Sequence, residues 1–175
     1  MSRSGILVVL ALAAAPAAAQ ATLDPRLAPL AFLVGKTWRA DFPGSTPEKP
    51  VTDVSRFEAA LNGRAVRSLH SINDGEYGGE SLIFWDSEQG SIAFHYFTTA
   101  GFYTEGTMKP EGEGVATHEV VHGNAGGVTE VKATFRLLPD GRMHVQAREL
   151  KDGAWGAPRD VYYVATPGAV VRFKE

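Results

Sequence analysis

His118, Glu119 and His122 form the pattern that most resembles a catalytic site, because HEVVH matches the HExxH signature of zinc peptidases. That chemistry requires a helix, on which residues four apart share one face and both imidazoles reach one metal ion, with the glutamate as general base. Val120 and Val121 instead favour a strand, and closely flanking glycines leave no length for a helix. On a strand the two histidines lie roughly 13 Å apart, too far to share a zinc ion whose bonds to nitrogen are ~2.0–2.1 Å. We therefore predict a false match and no metal site.

The orientation of Glu119 depends on the connection that follows the motif. If residues 123–127 form a five-residue loop, Glu119 and Val121 face the interior and both histidines face solvent. A four-residue loop reverses this assignment. Glu119 is thus a candidate interior carboxyl, with both alternatives open.

Two further candidates lie where the pattern predicts the protein interior. His70 falls on the predicted inner face of a strand, where it either forms structural hydrogen bonds or contacts a ligand. Trp38 either packs in the core at one end of the fold or stacks against a ligand.

Tyr103 and Glu105 alternate on one strand and are predicted to share a face with Phe94 and Tyr96. If that face lines a cavity, Glu105 is a buried carboxyl with a raised pKa and is a candidate for binding or catalysis. The alternative is a solvent-facing Glu105 on the outside of the fold.

Composition excludes several classes of function. The chain has 175 residues, no cysteine and a net charge of −3, and its charges are spread singly, which argues against a nucleic-acid partner. It contains no GxSxG elbow, Walker loop or GxGxxG motif.

Turn signals such as Asn62-Gly63, Asp74-Gly75 and Pro139-Asp140-Gly141 separate short apolar-rich runs along most of the chain. This spacing predicts an all-β protein, an antiparallel up-and-down barrel of about ten strands. The predicted strands are 36–42, 51–61, 64–73, 80–86, 91–99, 102–109, 115–122 and 128–138, one that carries Met143, Val145 and Ala147, and 159–166.

Local patterns also predict which side chains face inward. A two-residue Asn62-Gly63 turn pairs Glu58 with Arg67 and places Phe57, Ala59, Leu61, Val66, Ser68 and His70 inside. Strand 128–138 alternates cleanly, with Val131, Ala133, Phe135 and Leu137 predicted inside. Asp24-Pro25 begins a short helix that Gly35 ends and that closes one end of the barrel.

The first residues predict export from a bacterium. Arg3 precedes an apolar run at 6–15 and a small-residue cleavage site at 17–19, as in a secretory signal peptide. The run is too short to span a bilayer, which needs ~20 residues. We therefore expect a signal peptide at 1–19, one barrel domain at 20–175, no membrane span, and a periplasmic or secreted location.

Four segments carry a resemblance to a known family. Leu30–Trp38 (LAFLVGKTW), Phe57–Arg64 (FEAALNGR), Phe84–Asp86 (FWD) and Tyr103–Thr107 (YTEGT) resemble the DUF1579-type bacterial proteins of unknown function. This resemblance implies a calycin-like fold, related to lipocalins and to nitrobindin. Nitrobindin-type barrels also need a C-terminal histidine as haem ligand; the last histidine here, His144, is predicted to face outward, so we expect no cofactor.

Three functions remain consistent with these patterns. The first is the binding of a small apolar or amphipathic ligand inside the barrel by residues drawn from His70, Trp38, Tyr103, Glu105 and Glu119. The second is an acid–base enzyme (an isomerase, cyclase or hydrolase) that uses Glu105 or Glu119 with His70. The third is an accessory scaffold whose aromatic strands between 80 and 109 contact a partner protein. The sequence does not predict an oligomeric state.

Overall fold

The computed structural model describes residues 22–174, apart from the side chains of residues 124 and 125, so the predicted signal peptide at 1–19 lies outside it. These residues form a closed antiparallel barrel of ten strands, with one extra two-residue strand attached to its wall. The strands are β1 (Lys36–Asp41), β2 (Thr52–Ala60), β3 (Ala65–Ile72), β4 (Tyr77–Asp86), β5 (Ser91–Thr98), β6 (Tyr103–Glu111), β7 (Gly114–Ala125), β8 (Val128–Leu137), β9 (Met143–Lys151), β10 (Ala154–Trp155) and β11 (Arg159–Ala165). The barrel closes because β11 pairs with both β1 and β9, and β9 also pairs with β8. The predicted fold class is confirmed.

The predicted N-terminal helix is a single stretch of 3-10 helix, Pro25–Leu30. The Asp24 carboxylate accepts hydrogen bonds from the Arg26 guanidinium at 2.6 and 2.9 Å and from the Arg26 backbone N–H at 2.9 Å. These bonds, the side-chain ones first, lower the pKa of Asp24. Pro29 has no N–H to donate, which prevents a regular α-helix. Leu27 and Leu30 are fully buried in the apolar core. The segment therefore plugs one end of the barrel. No helix within residues 22–174 is long and apolar enough to cross a membrane.

The β2–β3 hairpin has the predicted register but a different turn. Glu58 lies opposite Arg67 as expected, yet the connection spans four residues, 61–64. Leu61 and Asn62 both have positive φ angles, and Leu61 is 66% exposed, so its predicted interior position is wrong. The longer turn is held by contacts with the N-terminal segment. Gly63 packs against Thr22, where a Cβ atom would clash, and the Gly63 carbonyl accepts a hydrogen bond from the Asp24 N–H at 2.9 Å.

The β5–β6 hairpin corrects one predicted face. Phe97 pairs with Tyr103, and five residues, 98–102, lie between this pair. Tyr103 and Glu105 therefore lie on the outer face, while Phe94 and Tyr96 point inward. The prediction that these four side chains share a face is wrong, because a one-residue difference in register moves every side chain of a strand to the opposite face.

The β7–β8 hairpin decides the orientation of Glu119. Ala125 pairs with Val128, and an irregularity between Val120 and Ala125 shifts the register so that Glu119 lies opposite Val131. This is the register expected of the five-residue alternative. Val131 faces inward, as predicted, and so does Glu119.

Candidate functional site

A cavity of about 300 Å³ occupies the barrel interior beyond the apolar plug. No residue of the segment 22–35 lines it. Its apolar wall consists of Phe42, Phe57, Ile83, Phe94, Met108, Val131, Ala133, Phe135, Val145 and Ala147, and its polar side chains are Asp53, Ser55, Ser68, His70, Ser81, Tyr96, Thr117, Glu119, Arg159 and Tyr163. A volume of this size is at the lower end for small-molecule sites, which span roughly 300–1,000 Å³.

Asp53 is the centre of the polar network in this cavity. It is 1% exposed and lies on the inner face of β2, two residues before Ser55. Its Oδ2 accepts hydrogen bonds from the Ser55 hydroxyl at 2.6 Å and the Tyr163 hydroxyl at 3.0 Å, and its Oδ1 lies 2.8 Å from His70 Nδ1. Burial and the charge of Asp53 raise the pKa of Tyr163, which therefore remains a donor. Three donors converge on Asp53, the pattern of an ionised carboxylate.

His70 connects Asp53 to two tyrosines. Its Nδ1 faces the Asp53 carboxylate, which only accepts, and its Nε2 lies 2.6 Å from the Tyr96 hydroxyl. In the tautomer that carries its proton on Nδ1, Nε2 accepts from that hydroxyl. The Tyr96 oxygen in turn lies 2.9 Å from the Tyr77 hydroxyl. Burial raises the pKa of both Tyr96 and Tyr77, so both phenols stay protonated. In this arrangement the chain runs in one direction, from Tyr77 through Tyr96 and His70 to Asp53, and both nitrogens of His70 are occupied.

Glu119 lines the same cavity from β7. Its Oε2 accepts a short hydrogen bond from the Thr104 hydroxyl on the neighbouring strand β6. Thr104 is the hydrogen-bond partner of Glu119 within the described part of the chain. Removal from solvent raises the pKa of Glu119, opposed in part by the Thr104 hydrogen bond. The side chain therefore presents a carboxyl group that readily carries a proton.

Two inner-face glycines make space for these groups. A Cβ atom at Gly79 would collide with the Phe97 carbonyl oxygen and the Tyr96 ring. One at Gly106 would collide with the His118 carbonyl oxygen and with Cα and Cβ of Glu119, the cross-strand partner of Gly106. The close approach of Tyr96 and Glu119 thus depends on a glycine beside each of them.

The structure separates the five predicted site residues into three groups. His70 and Glu119 both line the cavity. Trp38 is fully buried in the core and does not line the cavity. Its Nε1 has no hydrogen-bond partner among the described residues, and Lys36 Nζ lies 5.3 Å from its ring. Trp38 therefore packs in the core. Tyr103 and Glu105 lie on the outer face and are exposed, which is the solvent-facing alternative for Glu105.

The HExxH residues also divide between the two faces. Glu119 points inward, whereas His118 Nε2 contacts Glu130 at 2.6 Å and His122 Nε2 contacts Glu105 at 3.1 Å on the outside. The motif lies on β7, a strand, as predicted. Within residues 22–174 no group of three or more acidic or histidine side chains is arranged to hold a metal ion.

An aromatic row follows the outer face of β4 to β7. Its rings stack in the order Phe84, His95, Phe97, Tyr103 and His122, with centroids 4.7–6.4 Å apart. Phe97 is 57% exposed and Tyr103 is 40% exposed. The two-sided aromatic pattern of the sequence thus reflects an inner core face and an exposed outer row.

Sequence analysis missed Asp53, Thr104, Tyr163 and the roles of Tyr77 and Tyr96. One signal was present for Asp53, because it lies four residues before Phe57 on β2 and so shares its inward face. The convergence of Asp53 with Tyr163 joins positions 110 residues apart, which local patterns do not reveal.

Comparisons with family models and with curated proteins find no match. The resemblance to DUF1579-type proteins therefore rests on the motifs quoted above.

Proposed function

We propose that this protein is an exported, DUF1579-type calycin-like barrel that binds a small amphipathic ligand in its interior. The observation that carries the proposal is the cavity of about 300 Å³, in which a mainly apolar wall surrounds a few convergent polar groups. Such a combination is the usual form of a small-molecule site, where apolar area supplies affinity and polar groups fix orientation.

The polar groups are held in place before a ligand enters. Asp53 has three donors, and both nitrogens of His70 are occupied. The side chains that a ligand meets therefore lose little conformational entropy on binding, which favours affinity.

Titration with 1-aminoanthracene, a small fluorescent probe that is uncharged at pH 7, tests the proposal. The wild-type protein is expected to enhance the probe's fluorescence with one saturable site. Ala147→Phe fills the cavity from β9 and is expected to abolish binding. Gln146→Phe, on the outer face of the same strand, is the matched control and is expected to retain it. Equal binding by both variants would place the probe outside the cavity and refute the proposal.

A proton-transfer enzyme is the second candidate, favoured by the in-line order of Asp53, His70 and Tyr96. Since both His70 nitrogens are occupied, the tyrosine hydroxyls are the groups that would meet a substrate. To test this function, the ligand that native mass spectrometry finds bound to the protein is isolated. It is then incubated with the protein in D₂O. Deuterium incorporation into a ligand C–H bond that is lost in Tyr96→Phe supports an enzyme, and an unchanged ligand excludes this chemistry.

A further inference from the structure

We infer that the ligand of this cavity carries a protonated amine and that Glu119 is the residue that binds it, as a carboxylate. The inference rests on the proposed function and names the chemical class of the ligand.

Glu119 is the carboxyl group with unused capacity. A carboxylate offers about four acceptor positions, and Thr104 occupies one of them, on Oε2. Glu119 lines the cavity, and among the described residues the hydrogen bond to its carboxyl group is the one from Thr104 to Oε2, which leaves Oε1 for a bound molecule. An ammonium group has three donors and no acceptor, which suits this position.

Asp53, the second carboxyl in the cavity, has no comparable capacity. Ser55, Tyr163 and His70 all direct donors at it. Asp53 therefore holds the wall together, while Glu119 faces the empty space.

Positive charge is scarce around Glu119. Among the described residues that line the cavity, the cationic side chain is Arg159, and it is exposed, with its guanidinium 5.5 Å from the Phe42 ring centroid. Arg159 lies on β11, three strands from β7 in the order β7, β8, β9, β11. A cationic ligand compensates the charge of Glu119 locally, whereas an anionic ligand would place like charges together in a site of low dielectric.

The aromatic lining also suits a cation. Phe94 and Tyr96 line the cavity, and the Tyr77 ring adjoins Tyr96 through their hydroxyls. Ring faces attract ammonium groups, most strongly where water is excluded. The apolar wall beyond them accommodates the hydrocarbon body of the same ligand.

Calorimetric titration with three probes that share a phenylethyl body tests the inference. The probes are 2-phenylethylamine, 2-phenylethanol and 3-phenylpropionate, which share a phenyl body and differ in charge. The amine is expected to bind at least about tenfold more tightly than the alcohol, because a charge-assisted hydrogen bond contributes more than a neutral one. Glu119→Gln is expected to weaken amine binding roughly 10- to 100-fold while changing alcohol binding little. Glu105→Gln removes the same charge from the outer face and is expected to leave all three affinities unchanged.

Proton release gives a second measurement that does not depend on a variant. Because burial raises the pKa of Glu119, ammonium binding at mildly acidic pH must expel its proton. Titrations in buffers of different ionisation enthalpy are expected to show release approaching one proton at low pH, falling towards zero as the pH rises.

The outcomes separate this inference from the proposed function. If 1-aminoanthracene enters the cavity but the alcohol binds as tightly as the amine, only the amine inference is wrong. Tighter binding of the propionate, lost in Arg159→Gln, would also overturn it. If neither the dye nor any of the three probes binds, the proposed function fails as well.

Discussion

Replacement of Asp53 by alanine is expected to be among the most destabilising single changes in the barrel. The side chain is 1% exposed and accepts hydrogen bonds from Ser55, Tyr163 and His70. Alanine removes all three acceptor contacts and leaves three donors without partners in a region largely shielded from water. Each buried unsatisfied group costs about 1–3 kcal/mol, so the expected loss in free energy of unfolding is about 3–5 kcal/mol after allowance for non-additivity.

Asp53→Asn is a matched variant with a different expected result. An asparagine carbonyl can accept from Ser55 and Tyr163, while its NH₂ donates to His70 Nδ1. His70 then donates from Nε2 to Tyr96, and Tyr96 donates to Tyr77, which reverses the chain. The charge assistance is lost, and the second amide hydrogen and the Tyr77 hydroxyl hydrogen have no acceptor within the chain. We expect a cost of about 2 kcal/mol, smaller than that of alanine because the three contacts of the side chain are kept.

Urea unfolding at neutral pH measures both variants, and long-range ¹H–¹⁵N spectra report which His70 nitrogen carries the proton. The proton is expected on Nδ1 in the wild type and on Nε2 in Asp53→Asn. Tyr163→Phe, which removes a single donor, is expected to cost about 1 kcal/mol. The reasoning is refuted if Asp53→Ala unfolds within about 1 kcal/mol of the wild type, or if the His70 proton lies on Nε2 in the wild type.

Three further predictions follow from burial and packing. The pKa of Glu119 is raised above its ordinary value of 4.5, so its favourable contribution is present below that pH and is lost as the pH rises through the folded-state pKa. Urea unfolding of Glu119→Gln between pH 4 and 8 should therefore show a smaller decline in stability with pH than the wild type, and equal slopes would contradict this. Gly79→Ala forces a Cβ atom against the Phe97 carbonyl oxygen and the Tyr96 ring and is expected to cost about 1–3 kcal/mol. Gly156→Ala, which meets no close contact, is expected to be neutral by thermal unfolding. Leu30→Ala removes part of the buried 3-10 segment and is expected to lower the free energy of unfolding by about 2–5 kcal/mol. Leu61→Ala, at an exposed site, is expected to lower it by less than about 0.5 kcal/mol. Equal losses in the two variants would contradict the packing of the 3-10 segment in the core.

Strand order, strand number and most inward faces were predictable from sequence because they depend on local alternation and turn residues. The β8 alternation and the Glu58–Arg67 register are examples. Faces were wrong where a turn length decided them. The five residues between Phe97 and Tyr103 moved Tyr103 and Glu105 to the outside, and no residue type among them specifies five rather than four.

The candidate site was only partly predictable for the same physical reason. The sequence by itself determined that His70 lies inside, that His118 and His122 lie on a strand, and that a barrel wall surrounds the interior. Only the tertiary structure decided that Asp53 receives three donors, one of them from Tyr163 at the far end of the chain. Closure of the barrel brings β11 beside β1, and the Tyr163 hydroxyl on β11 thereby reaches the Asp53 carboxylate on β2. Periodicity assigns a side chain to a face, but the partners it meets across a closed barrel depend on register and closure, which are set by the whole chain.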